Sequence, residues 1–134
     1  MESIALRIEP GLYVVARGPL PKGATALLDP DCLRCEFHGA GETSSVFPES
    51  DLPATDPDAS TLEAERGWRW LRVDGPLPFS AVGILAAIAG PLAAAEIPIF
   101  VVSSFDTDHI LIPETRLESS VAALRGAGLL VDGA

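Results

Sequence analysis

Few residues of this chain could do chemistry, and most of them lack the company that chemistry needs. Cys32 and Cys35 form a C-x-x-C with His38 three residues on. Zinc takes four ligands, and no second C-x-x-C completes the set. A redox pair opens a helix whose dipole lowers a thiol pKa. CLRCEFHG reads instead as a strand, on which residues i and i+3 point to opposite faces. The two therefore read as ordinary half-buried cysteines. His38 and His109 lie far apart and carry no motif, so His109 reads as a strand packing residue rather than a general base. Ser103-Ser104 lacks a nucleophile elbow, and the phosphate-cradling glycine motifs do not occur. Asp106 and Asp108 could suggest a metal pair, but without further ligands they read as turn-formers. Neither a catalytic residue, a metal nor a cofactor is expected.

One constellation remains. The loop Asp74–Ser80 (DGPLPFS) leads into an apolar run beginning AVGIL. The first amides of a helix starting there, near Ala81, Val82 and Gly83, would be unpaired and could hold a carboxylate. Gly83 would let a ligand approach the backbone. Downstream, Ser103-Ser104-Phe105-Asp106-Thr107-Asp108 makes an acidic turn. Asp106 or Asp108 could there accept a hydrogen bond from an ammonium group. A carboxylate site beside an ammonium site describes an amino-acid pocket. The same glycines and aspartates are equally ordinary turn chemistry, and the residues alone leave both readings open.

The elements that would position this corner are legible from periodicity. Trp68–Val73 reads as a strand, and Ser80 as the N-cap of a helix over Ala81–Ala95, with Pro91 bending it. Pro98–Ser103 and His109–Ile112 read as strands around the Phe105–Asp108 turn. A second helix runs from about Glu114 to Arg125, with Leu117, Val121 and Leu124 on one stripe and Gly126 and Gly128 stopping it. Leu129–Asp132 is a last short strand. The order β-α-β-β-α-β is a split βαβ of ferredoxin-like type, an α/β (α+β) fold. The first helix has an uncharged outer face, Ala86, Ala87, Gly90, Ala93 and Ala94. A helix apolar all round expects cover from the N-terminal half or from another subunit.

The first half is less regular. Residues 3–9 and 12–17 read as strands around a Pro10-Gly11 turn, and 32–38 and 43–47 as strands around Gly39-Ala40-Gly41. A helical turn is expected around Ala24–Leu28. Prolines and acids over 48–66 read as a connection. The expected organisation is an N-terminal half over 1–50, an acidic, Pro-containing linker over 51–66 and a C-terminal domain over 67–134.

Charge narrows the partners. The 134 residues include 19 acidic and 9 basic side chains, a net charge of −10. From Cys35 to Glu65 there is no Lys or Arg. Neither nucleic acid nor an anionic membrane surface suits such a chain. MESIALRIEPG has no signal-peptide pattern, and Glu96 with Pro98 interrupts the longest apolar stretch. A cytoplasmic protein is expected.

Residues 67–112 resemble the ACT domain family, in the branch that includes bacterial tandem ACT-like proteins and the CASTOR-type arginine sensors. The resemblance rests on Val73-Asp74-Gly75 with Phe79-Ser80, on Val82-Gly83-Ile84-Leu85, on Ile97-Pro98-Ile99-Phe100 and on Ser103–Asp108, and it extends to about Gly128. The N-terminal 50 residues resemble the degenerate partner half of the same proteins. The resemblance implies a ferredoxin-like fold of two ACT-like halves and a regulatory, non-catalytic sensor working as a homodimer. Its small-molecule ligand, an amino acid, would be held by Asp74–Ile84, among them Asp74, Gly75, Phe79, Ser80, Val82, Gly83 and Ile84, facing Ser103, Ser104, Phe105, Asp106, Thr107 and Asp108. The alternative is an interaction module of the same fold without a ligand.

Overall fold

A computed structural model describes residues 3–21, 29–52 and 63–133. The expected helical turn around Ala24–Leu28 lies outside them, as does the middle of the expected linker. The elements in chain order are β1 (Ala5–Arg17), β2 (Cys35–Gly39), β3 (Glu42–Pro48), β4 (Ala64–Val73), α1 (Ile84–Ala94), β5 (Phe100–Ser103), β6 (Asp108–Pro113), α2 (Leu117–Gly126) and β7 (Leu130–Asp132). The chain forms two compact units, divided after Pro10 and after Trp68.

The unit containing residues 1–10 and 69–134 has the strand order β7-β1-β4-β6-β5. β5 and β6 are antiparallel, with Val101 opposite Ile110 and Ser103 opposite Asp108. β7 runs parallel to β1, with Leu6 opposite Val131. Alternation along each strand decides the faces. Leu6 and Ile8, Leu71 and Val73, and Ile110 and Ile112 share one core with Ile88 and Leu92 of α1 and Leu124 of α2. Residues between them, Glu9, Trp70, Arg72 and His109, occupy the other face. This is the ferredoxin-like fold expected of the C-terminal segment, with one addition. Residues 5–10 lie between β4 and β7, a place that a reading of 67–132 could not supply.

The other unit, residues 11–68, holds the β2–β3 hairpin and the pairing of β3 with β1, Tyr13 opposite Pro48 and Arg17 opposite Ser44. Ala40 and Gly41 form the two-residue turn, both with positive φ, as a twisted hairpin demands. Val14, Ala16 and Phe47 make a small core with Leu20, Leu52 and Ala64 packed on it. Arg34 donates to both carboxylate oxygens of Asp51, through Nε at 2.9 Å and Nη2 at 3.1 Å.

Several expected boundaries move. Pro10-Gly11 is not a turn: Gly11 takes a φ of +94° and the strand continues through it to Arg17. β4 begins at Ala64, inside the expected linker. Cys32 precedes β2 rather than lying on it. The second helix opens with a 3-10 turn at Glu114–Arg116. The most consequential change is at α1, which starts at Ile84 with Gly83 as its N-cap, not at Ala81 with Ser80. Gly83 has a φ of +81°, which lies outside helical space, so the chain turns into the helix only after it.

Candidate functional site

The loop after β4 is tied down at its start and again three residues on. Asp74 N–H donates to Ala5 O at 2.8 Å, and Leu77 N–H donates to Asp106 O at 2.7 Å. Gly75 is pressed so close to the β5–β6 turn that a Cβ there would lie 3.1 Å from both Asp106 O and Thr107 Cβ. The hydroxyl of buried Thr107 donates to Val73 O at 2.7 Å. The loop and the acidic turn are therefore neighbours, as the sequence suggested.

The turn itself is braced by a hydrogen-bond chain from the helix-free face. The Trp70 indole N–H lies 3.1 Å from His109 Nδ1. An indole nitrogen only donates, so Nδ1 must accept and the proton of neutral His109 sits on Nε2. Nε2 then donates to Ser104 Oγ at 3.0 Å, and that hydroxyl donates to Thr107 O at 3.0 Å. Burial first, and the Arg72 guanidinium second, push the His109 pKa below its ordinary value, against opposing pulls from Asp108 and Glu9. The neutral tautomer that the geometry requires is thus the one the surroundings favour.

Between the loop, the start of α1 and the N-terminal end of β1 lies a cavity of about 540 Å³. Asp74, Gly75, Val82, Gly83 and Ile84 line it. So do Ser3, Ile4 and Ala5, which the sequence reading missed. Their alternation marked a strand, but nothing local says which strand it lies beside. α1 opens onto this cavity without a side-chain cap and without an acidic residue in its first turn. Ala81 N–H is committed to Pro78 O at 2.9 Å, so the free amides of the helix start lie after it, from the N-cap Gly83 into the first turn.

The other expected site residues lie outside the lining. Phe79 and Ser80 are on the outer arc of the loop, where Phe79 meets Phe105 edge to face at 4.7 Å between ring centres. Both rings are 78% exposed, and Val82 nearby is 89% exposed. Asp108 accepts a 2.6 Å hydrogen bond from the Ser103 hydroxyl. Neither Asp106 nor Asp108 lines the cavity. Elsewhere, the Cys32 thiol donates to Asp29 Oδ2 at 3.0 Å, which raises its pKa, and burial raises that of Cys35. Raised thiol pKa values run opposite to those of a reactive pair.

Residues 63–126 match the family described as ACT domain. The cytosolic arginine sensor for mTORC1 subunit 1 of Homo sapiens is 42% identical over 85 residues, which are 63% of this chain and 24% of that protein. The rat protein of the same name is 39% identical over the same length. The chain thus spans about a quarter of the length of these curated relatives. A crystal structure of an Agrobacterium tumefaciens protein is similar along the whole chain, with a TM-score of 0.77 and 29% identity over 100% of this chain and 97% of that one. The ligand-free regulatory subunit of aspartate kinase from Thermus thermophilus shares the fold, with a TM-score of 0.61 and 14% identity over 94% and 99% of the two chains.

Proposed function

We propose that this chain, whose residues 63–126 match the ACT domain family, is a non-catalytic regulatory protein that binds a free amino acid in the cavity between Asp74 and Ile84. The observation that carries this reading is the cavity itself, with an uncapped helix N-terminus opening onto it. The ligand's carboxylate docks on the amides at the start of α1, where the helix dipole favours an anion. Its ammonium faces Asp74, preferred over Asp106 and Asp108 because it is the carboxylate that lines the cavity. The likeness to a protein named as an arginine sensor supports the ligand class, and the Thermus neighbour named as a regulatory subunit supports the role. The working form is a cytoplasmic homodimer. Its support is the uncharged outer surface of α1, where Leu85, Ala86, Gly90, Ala93 and Ala94 are exposed in the single chain. Among the described residues no helix is long and apolar enough to cross a membrane.

A thermal-shift screen of the full chain against the proteinogenic amino acids tests the reading. A ligand present at 100 times its Kd stabilises by about 2.7 kcal/mol, enough to be seen. The exposed Phe79–Phe105 pair favours a second reading, a protein-docking module of the same fold without a ligand. No shift with any amino acid at millimolar concentration would select that second reading.

A further inference from the structure

Two aromatic rings stand in water at the corner where the β4–α1 loop meets the β5–β6 turn. Phe79 on the loop and Phe105 on the turn are each 78% exposed and meet edge to face at 4.7 Å. The Leu77 N–H bond to Asp106 O ties the loop to the turn beside both rings. An edge-to-face pair leaves ring faces open, and those faces are negative. Asp106 follows Phe105 and is exposed, and Asp108 lies two residues further. From Val73 to Thr115 the sequence has no Lys or Arg. The corner therefore presents apolar area and negative charge together. We infer that it is a docking surface for a segment of a partner protein that carries Arg or Lys beside apolar side chains. A guanidinium or ammonium is drawn both to an open ring face and to the Asp106 and Asp108 carboxylates. Apolar neighbours in the same segment cover the rest of the rings. A purely apolar segment desolvates carboxylates without giving them a counter-charge, and a purely basic one leaves the rings in water. A second copy of this chain brings the same carboxylates and the same net charge of −10, so self-docking here sets like charges together. Neither ring lines the cavity, so the surface is independent of what the cavity holds.

Fluorescence anisotropy on the full chain at physiological salt tests this with labelled, capped peptides of equal length. One alternates leucine with arginine, one leucine with glutamine and one arginine with serine. The leucine–arginine peptide is expected to bind about tenfold more tightly than either of the others. Phe79→Ala and Phe105→Ala each weaken it about tenfold, as truncation of an anchoring aromatic does. Both variants keep a melting temperature close to the parent's, because the rings are exposed. Asp106→Asn weakens it about two- to fivefold, the range of an exposed ion pair. Glu118→Gln, at an exposed carboxylate on α2, leaves it unchanged. Equal binding of the arginine–serine peptide, or a loss in Glu118→Gln as large as in Asp106→Asn, reduces the attraction to net charge and overturns the surface. Unchanged binding in both phenylalanine variants overturns it, as does no binding of the leucine–arginine peptide at millimolar concentration. Equal or tighter binding of the leucine–glutamine peptide overturns the partner's basic chemistry. A chain that sediments as a dimer in the parent and as a monomer in Phe79→Ala assigns the rings to a second copy, which overturns it too. The amino-acid reading stands or falls separately, on the thermal-shift screen.

Discussion

The two ring nitrogens of His109 and their partners brace the β5–β6 turn. With Trp70 donating to Nδ1, protonation would set two N–H groups against each other and break the chain that runs through Ser104 to Thr107. Burial and Arg72 keep His109 neutral, with Asp108 and Glu9 pulling the other way. The folded pKa is lowered from 6.5, so the unfolded chain takes up the proton first as pH falls. The stability contributed by neutral His109 is complete above the unfolded value and is lost as pH drops from there toward the depressed folded value. Melting temperature should therefore fall between about pH 7 and pH 5 in the parent chain, and by less in His109→Gln, because the variant has no imidazole to charge. Parallel losses in the two chains would show that His109 does not carry this dependence. That His109 lies on a strand as a packing residue was readable from sequence. Its partners were not, because Trp70 is 39 residues away and only strand pairing brings them together.

The two helices end by the same device with different residues. After α2, Gly128 takes the left-handed position, with Leu129 N–H donating to Leu124 O and Gly128 N–H to Arg125 O. After α1, Ile97 N–H donates to Leu92 O and Glu96 N–H to Ala93 O, but the left-handed residue is Glu96, at φ +58°. Arg116 donates to the carbonyls of Ala95 and Glu96, which adds a tether across the helix end. Left-handed strain at a side-chain-bearing residue costs about 1–2 kcal/mol. The extra freedom of glycine in the unfolded chain costs about 0.5–1 kcal/mol. Glu96→Gly should accordingly stabilise by about 0.5–1 kcal/mol, measured by denaturant unfolding, provided the Arg116 contacts to backbone oxygens persist. A destabilised variant would mean that the Glu96 side chain contributes more than its backbone costs. The glycine stops of α2 were legible in the sequence. The start of α1 was not, because Ser80 satisfies the cap preference while the left-handed φ of Gly83 is a tertiary fact.

At the scale of the whole molecule, the uncharged surface of α1 and the exposed Phe79–Phe105 pair stand out against a chain of net charge −10. If α1 is the homodimer contact, Ala86→Glu buries an unpaired carboxylate at the interface. It should then shift sedimentation from dimer to monomer, with a penalty of about 3–5 kcal/mol on association. Folding of each chain should be little affected, since Ala86 is exposed in the single chain. A variant that sediments as the parent does would place the contact elsewhere. The sequence by itself determined the order of the elements from Trp68 to Asp132, because burial against one sheet face imposes periods of 2 and 3.6 that are visible locally. Tertiary structure alone decided that residues 5–10 lie between β4 and β7, and with that placement Ser3, Ile4 and Ala5 became cavity lining. It alone also chose Asp74 over Asp106 and Asp108 as the carboxylate at the cavity. The physical reason is the same for both. A strand's hydrogen-bonding edge is nearly independent of its sequence, so pairing between segments more than sixty residues apart is selected by the assembled sheet and its core, not by any residue in the strand.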